Sequence, residues 1–281
     1  MRHLLHISDV HFGPPHLPEL AEKILEFADR RRPDAIVLSG DLTQRAKPEQ
    51  FRQARRFVDK LPAPCLVVPG NHDVPLYRFW ERSLQPFAAY QEHFAKELEP
   101  VWQDDELMLV GINTAHGWTL KEGRIRLSRL REVATLLADA KDDVFKVVVA
   151  HHHLTPPPRF GTQTVLSNAY EAIELFSAAG VELVLSGHQH QTYVASSEEF
   201  YPTGRPPVLI LHAGTTTSSR GRGSEADKNT FNWLRIDRDS VLISHYHWER
   251  TLAEFAEISR HWYPRRGCQP YALRSTAPPA P

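Results

Sequence analysis

The sequence has few cysteines, no long apolar run and almost no net charge. Cys65 and Cys268 are its only cysteines, too few for a disulfide framework or a structural zinc site, which indicates a reducing compartment. No segment approaches the roughly 20 apolar residues that span a bilayer, and the start, MRHLLHISDVHFG, lacks the apolar core of a signal peptide. We therefore expect a cytoplasmic protein without a membrane partner.

The charge balance bears on what the protein binds. Its 33 basic residues nearly match its 34 acidic residues, which gives a formal net charge of -1. Such a chain has no global field to collect nucleic acid, so nucleic acid is disfavoured as a partner and an anionic ligand must be held by local charges. Oligomeric state cannot be read from these totals.

Apolar runs typical of buried strands alternate with segments of helical spacing as far as Gly187, which predicts a largely parallel sheet covered by helices. After Gly187, successive strand-like segments separated by turns predict antiparallel hairpins. Together they predict an α/β (α+β) fold, a four-layer αββα sandwich of two mixed sheets flanked by helices, in one domain over residues 1–250. The predicted strands are Leu4–Ile7, Ala35–Leu38, Cys65–Val68, Leu107–Ile112, Phe145–Val149, Val181–Leu185, Thr192–Ala195, Val208–His212, Phe231–Ile236 and Val241–His245.

Two further segments carry weaker signals. Residues 251–281 are predicted to be a C-terminal extension, with a short helix-like segment and then RSTAPPAP, whose composition indicates disorder. Trp80, Phe87, Tyr90 and Phe94 have partly helical spacing, which predicts the core of a cap-like insertion.

Polar side chains follow five of the predicted strands, at the point where each strand ends. Because the carboxyl ends of parallel strands share one edge of a sheet, these clusters are expected to converge. Their residue types, carboxylates and imidazoles without a thiolate, suit manganese, iron or zinc at a reactive centre. Seven candidate ligands are too many for one ion and match two ions that share a carboxylate. The ligands are Asp9, His11, Asp41, Asn71, His151, His188 and His190.

Spacing and glycines support this interpretation. His188 and His190 alternate, as do Asp9 and His11, so each pair would lie on one side of an extended segment. A glycine precedes Asp41, Asn71 and His188, where it would permit tight turns and close packing.

The motifs DVH at 9–11, GD at 40–41, GNHD at 70–73, H at 151 and GHQH at 187–190 resemble, in order, those of the calcineurin-like metallophosphoesterase superfamily. The resemblance implies one metal held by Asp9, His11, Asp41 and His190. It implies a second held by Asp41, Asn71, His151 and His188, with Asp41 bridging. His72 matches the family histidine that touches the phosphate and protonates the leaving oxygen.

Several assignments stay open at the sequence level. Alignment of HHHLTP with the family selects His151 as the ligand, although the assignment could slip to His152, which could also contact substrate. Gln44 stands where many relatives carry Asp or Asn, and a neutral amide cannot stabilise a histidine cation by charge. Arg45 occupies the place of a phosphate-binding arginine in protein serine/threonine phosphatases. Arg220 and Arg222 lie in LHAGTTTSSRGRG, which is either a substrate-binding segment or a solvated loop.

The resemblance implies hydrolysis of a small phosphate ester by water that two cations activate. The segments GDLTQRAKPEQFRQARRF and PGNHD look most like the bacterial cyclic-nucleotide and glycerophosphodiester phosphodiesterases, which favours a phosphodiester. A phosphomonoesterase is the alternative, followed by a nuclease subunit. A non-catalytic interaction module on the same fold would be expected to show degraded ligands, and here every ligand is present.

Overall fold

The structure is a computed structural model that describes residues 1–118, 122–156 and 165–268. The strands are β1 Arg2–Ile7, β2 Ala35–Leu38, β3 Cys65–Val67, β4 Val101–Gln103, β5 Leu107–Gly111, β6 Phe145–Val149, β7 Leu183–Ser186, β8 Tyr193–Ser196, β9 Leu209–His212, β10 Thr230–Ile236, β11 Ser240–Glu249 and β12 Glu254–Pro264. The α-helices are α1 Pro18–Arg31, α2 Pro48–Asp59, α3 Phe79–Leu84, α4 Ala88–His93, α5 Leu127–Asp139 and α6 Ala169–Ala178. None of these helices has the length and apolar character needed to span a bilayer.

The strands form two mixed sheets, as predicted. The first has the order β12-β11-β10-β1-β2-β3 and the second β4-β5-β6-β7-β9-β8. Neighbours are parallel from β1 to β3 and from β5 through β7 to β9. The other pairs are antiparallel. The predicted switch to antiparallel pairing after Gly187 is confirmed, except that β9 also pairs in parallel with β7.

Three apolar clusters define four layers. The middle cluster joins the facing sheets, with Val37 of β2 and Val147 of β6 among its fully buried members. A second cluster packs α1 and α2 on the outer face of the first sheet, and a third packs α5 and α6 on the outer face of the second sheet. Alternate residues of a strand point to opposite faces, so β2 and β6 bury apolar side chains on both sides and are apolar throughout except at the buried Lys146 of β6.

Two predictions about the packing of the elements are wrong. Residues 254–264 form β12, paired antiparallel with β11, where a short helix was predicted, so the first sheet continues past residue 250. The predicted disorder beyond residue 268 lies outside the described residues. Trp80 was expected in the core of an insertion, but 74% of it is exposed, whereas Phe87 and Tyr90 are buried as predicted. α3 buries none of its own residues, which explains the exposure of Trp80.

Candidate metal centre

The first group of candidate ligands comes from loops after β1, β2 and β7. Asp9, His11, Asp41 and His190 are all buried, and one possible ligand atom from each lies within 4.8 Å of the others. Asp9 Oδ2 accepts hydrogen bonds from Ser8 Oγ and from the His188 amide. Asp9 Oδ1 is buried without a hydrogen bond to the described residues, although it lies 3.0 Å from His190 Nε2. A cation between these atoms would satisfy both.

The second group adds loops after β3 and β6. Asn71 Oδ1 lies 2.9 Å from His188 Nδ1 and 3.1 Å from His151 Nε2, and the two imidazole nitrogens are 3.3 Å apart. His151 Nε2 is also 3.3 Å from Asp41 Oδ1. Because these atoms are mostly acceptors that face one another, the arrangement fits a bound cation better than a set of hydrogen bonds.

Asp41 stands between the two groups. Its Oδ2 lies 3.6 Å from His11 Nε2 in the first group, and its Oδ1 faces His151 in the second. The backbone amide of His72 donates to Oδ1 at 2.8 Å and fixes the carboxylate plane. Each carboxylate oxygen is therefore presented to a different ligand group.

Backbone carbonyls orient two of the imidazoles. His190 Nδ1 donates to the carbonyl of Arg220 at 2.6 Å, and His151 Nδ1 donates to the carbonyl of Ser39 at 2.8 Å. In each ring the donated proton fixes the tautomer, so Nε2 keeps its lone pair for a metal. The position of Arg220 beside a ligand was not predicted.

The ligand loops have unusual backbone geometry. Asp9, His11, Asp41, His188 and His190 all have φ between 48° and 72°, a region that costs non-glycine residues free energy. The prediction that each pair, Asp9 with His11 and His188 with His190, lies on an extended segment is therefore wrong. Left-handed residues reverse the chain direction locally, and this sends His188 to the second group and His190 to the first.

The glycines before the ligands have the predicted role of permitting close packing. A Cβ at Gly70 would overlap the Asp41 side chain, and one at Gly40, which has a φ of 98°, would overlap the His151 ring. Any side chain at either position would therefore push the two ligand groups apart.

The buried charges depend on one another. Burial raises the pKa values of Asp9 and Asp41, but the adjacent imidazoles, chiefly His190 and His151, outweigh burial and hold both pKa values well below the usual range. Burial lowers the pKa of His151, yet the Asp41 carboxylate raises it to about 9. An imidazole must be neutral to bind a metal, so a bound cation would replace the proton on His151.

A cavity of about 340 Å³ opens beside the ligand groups. His72 lines it, with Nδ1 2.9 Å from the carbonyl of Gln44, so Nδ1 carries the donated proton and Nε2 faces Arg220 Nη2 at 3.4 Å. Arg45, Arg220 and Arg222, the three predicted substrate arginines, line the cavity together with Arg82. Metal ligands, a histidine and guanidinium groups are thus gathered around one space.

The model of the calcineurin-like phosphoesterases matches residues 2–192, more than half of the chain, and includes every candidate ligand. The chain belongs to the calcineurin-like phosphoesterase family. The prediction that it resembles the calcineurin-like metallophosphoesterases is confirmed.

The similar proteins include bacterial phosphodiesterases. A probable cyclic nucleotide phosphodiesterase of Synechococcus is 28% identical over 172 residues, 59% of this chain and 61% of that protein. The glycerophosphodiester phosphodiesterase GpdQ of Enterobacter lignolyticus is 36% identical over 85 residues, 25% of this chain and 29% of that protein. Each of these two matches spans less than two thirds of the relative's length. The names of the relatives confirm the predicted resemblance to this bacterial branch.

A solved structure supports the fold. The purple acid phosphatase of yellow lupin has a TM-score of 0.72, with 12% identity over 94% of this chain and 54% of that one. At that identity the likeness shows the fold alone, and it agrees with the two sheets and flanking helices of this calcineurin-like phosphoesterase.

His152 does not line the cavity of this phosphoesterase, whereas His151 lies beside the candidate ligands Asn71 and Asp41. It is 2% exposed, its Nδ1 lies 2.7 Å from Thr114 Oγ1, and it is not among the described residues that line the cavity. Its ring packs 4.6 Å from that of His188. His151 thus faces Asn71 and Asp41, whereas His152 packs against His188 and Thr114.

Residues 213–229 join β9 to β10. Unlike a solvated loop, they are attached to the rest of the fold by buried side-chain hydrogen bonds. Thr215 Oγ1 donates to the carbonyl of Asp9 at 2.7 Å, and Thr217 Oγ1 donates to that of Val10 at 3.0 Å. Thr215 and Thr217 are buried. The connection is therefore attached to the DVH loop by side chains and carries Arg220 and Arg222 to the cavity.

Asp73 and Arg82 were given no role by the sequence. Asp73 accepts hydrogen bonds from the backbone amides of Gly70, Leu42 and Thr43 at 2.8–3.1 Å, which joins the GD and GNHD loops. Its place as the last residue of the GNHD motif could have indicated this role from the sequence. Arg82 lies on α3 outside any motif, so only the fold reveals that it lines the cavity.

Proposed function

We propose that this chain is a hydrolase that uses two divalent cations to cleave a small phosphodiester. The observation that carries the proposal is the place of Asp41, with one carboxylate oxygen toward each ligand group. Asp9, His11, Asp41 and His190 would hold one ion, and Asp41, Asn71, His151 and His188 the other. Their oxygen and nitrogen donors suit manganese, iron or zinc ions.

The residues around the cavity have complementary roles in this proposal. When bound, a pair of cations lowers the pKa of water and neutralises phosphate charge. His72 is anchored through Nδ1, and when its ring is doubly protonated the proton on Nε2 can pass to the leaving oxygen. No serine, threonine or cysteine is among the described residues that line the cavity, which favours water as the nucleophile.

The size of the cavity and the relatives favour a small diester. A cavity of about 340 Å³ accommodates a phosphate with compact substituents and falls at the small end of known ligand sites. Two similar proteins are named as phosphodiesterases. We place the reaction in the cytoplasm, because the sequence has only two cysteines.

A phosphomonoesterase is the second candidate, and one observation favours it. Arg45, Arg220 and Arg222 all line the cavity, and a monoester carries more negative charge than a diester, so it gains more from guanidinium groups beside the metals.

The deciding experiment compares a diester and a monoester of one leaving group. Purified protein is stripped of metal and reloaded separately with manganese, iron or zinc, and bound metal is counted by elemental analysis. We expect two equivalents of metal and a higher kcat/KM for bis(p-nitrophenyl) phosphate than for p-nitrophenyl phosphate. A large monoester preference selects the second candidate. Full metal loading without hydrolysis of either ester would indicate an interaction module.

A further inference from the structure

Gln44 and Arg220 approach one another across the cavity from different parts of the chain. Gln44 follows the GD loop after β2, and its Oε1 accepts a hydrogen bond from Arg220 Nη1 at 3.1 Å. Arg220 belongs to the connection between β9 and β10. The side chain that departs from the family pattern therefore holds an arginine, and the histidine is held by the backbone carbonyl of the same residue.

Gln44 is well placed to fix a partner. It is 6% exposed, and its backbone amide donates at 3.0 Å to the carbonyl of Phe12, the residue after the DVH motif. Arg220 is anchored at its backbone, since its carbonyl accepts the hydrogen bond from the metal-ligand candidate His190. Arg220 is thus held at its backbone by His190 and at its guanidinium by Gln44.

The charge of Arg220 has no carboxylate partner within 4.0 Å in the described part of the chain. Its side chain is half-buried, and its Nε has no hydrogen bond to the described residues. A partly buried cation that no carboxylate contacts directly is costly to maintain. An anion bound in the cavity would relieve that cost.

We propose that Gln44 is a positioning residue that holds Arg220 beside His72, so that the guanidinium binds a non-bridging oxygen of the phosphate. A neutral amide fixes the guanidinium without neutralising it. A carboxylate at position 44 would form an ion pair with Arg220 and compete with the substrate phosphate for the same charge. This accounts for glutamine at a place where many relatives carry an acidic residue or asparagine. The inference rests on the proposed phosphoester substrate.

The test combines Gln44→Ala, Gln44→Glu and Arg220→Ala with two readouts. The first is kcat and KM for bis(p-nitrophenyl) phosphate, and the second is the affinity of the metal-loaded protein for inorganic phosphate by calorimetry. Arg220→Ala should lower kcat/KM by on the order of 10²-fold. Gln44→Ala should lower it by roughly tenfold, with weaker phosphate binding, and Gln44→Glu should match or exceed that loss despite keeping a hydrogen-bond acceptor.

The double variant Gln44→Ala/Arg220→Ala should lose no more than Arg220→Ala alone, because Gln44 acts through Arg220. Arg222→Ala is the matched control. Arg222 also lines the cavity and is exposed, so its effect should multiply with that of Gln44→Ala. Metal content and melting temperature, measured for every variant, detect a merely structural effect.

Phosphate affinity unchanged by Gln44→Ala, or losses at Gln44 and Arg220 that multiply, would overturn the proposal. Wild-type protein that binds phosphate but hydrolyses neither ester contradicts the proposed function, and the calorimetric comparison of the variants still tests Gln44 in that case.

Discussion

At the scale of single residues, the sequence predicted the identity of the convergent side chains but not their geometry. Asp41, Asn71 and His151 stand beside one another as the motif order implied. The φ values near 50° at Asp9 and His11 were not predictable, because neither residue type demands them and the strain is held by contacts distant in sequence. The role of Gln44 was missed for the same reason, since its partner is 176 residues away.

Asp41→Asn tests the bridging carboxylate. The amide retains the size of the side chain but loses the charge and one of the two acceptor oxygens that face the ligand groups. We expect bound metal to fall below two equivalents and hydrolysis of the aryl diester to fall by at least ~10³-fold. Elemental analysis and initial rates measure the two effects. Near-normal turnover with both metals retained would contradict the assignment.

His72→Ala tests the proposed acid. His72 lies beside the ligands, but its Nδ1 is occupied by the Gln44 carbonyl, so both metals should remain bound. Turnover of an ester with a poor leaving group should fall by roughly 10²–10⁴-fold. The loss should shrink for p-nitrophenyl esters, whose leaving oxygen needs no proton. Loss of one equivalent of metal would instead identify His72 as a ligand.

At the scale of elements, strands that are buried on both faces were predicted best. Ala35–Leu38 and Phe145–Val149 have the predicted bounds, because a strand buried on both faces is almost entirely apolar, here with Lys146 as the exception. β12 was missed since most of its side chains are exposed and backbone pairing with β11 defines it. The sequence did not decide whether the segment that carries Arg220 and Arg222 is a substrate-binding segment or a solvated loop. Its threonines form hydrogen bonds to the DVH loop, and local sequence does not encode such a contact.

That connection contains a carboxyl group whose titration should affect stability. Glu225 Oε2 accepts the amide hydrogen of Thr192 at 3.0 Å, and burial raises the pKa of Glu225 from 4.5 to about 7. Between these values the folded protein keeps a proton that the unfolded chain has lost, so stability falls as pH rises through this window and then levels off. Glu225→Gln removes the titration while keeping an acceptor for Thr192.

We therefore compare the free energy of unfolding of Glu225→Gln with that of wild type. The difference should favour the variant by roughly 1–3 kcal/mol more at pH 8 than at pH 5. Urea unfolding of the chelated proteins at both pH values measures the difference. The chelator removes metal charges that would alter the comparison. An effect of equal size at both pH values would show that Glu225 does not retain its proton in the folded protein.

At the scale of the whole molecule, the ligand groups connect the two sheets. Asp9, Asp41 and Asn71 follow strands of the first sheet, and His151 and His188 follow strands of the second. The apolar cluster between the sheets is independent of these ligands. Metal removal should therefore weaken the attachment of the sheets at one edge without unfolding the domain.

Chelation is expected to lower the melting temperature while the far-ultraviolet circular dichroism stays native. A ligand at a hundred times its Kd stabilises the folded state by about 2.7 kcal/mol, and 1 kcal/mol shifts the melting temperature of a domain of this size by about 2–4 °C. Loss of one such ion should thus lower it by roughly 5–10 °C, and loss of a second by more. Scanning calorimetry with and without chelator gives the shift.

The control for chelation is Asp41→Asn, which should bind less than two equivalents of metal and show a smaller shift on addition of chelator. The strained backbone at Asp9, His11, Asp41, His188 and His190 strengthens the expectation, because metal coordination compensates for conformations that are otherwise unfavourable. Re-addition of manganese should restore the wild-type melting temperature. If the melting temperature of the wild-type protein changes with neither chelator nor metal, the fold alone holds the backbone conformations of these five residues.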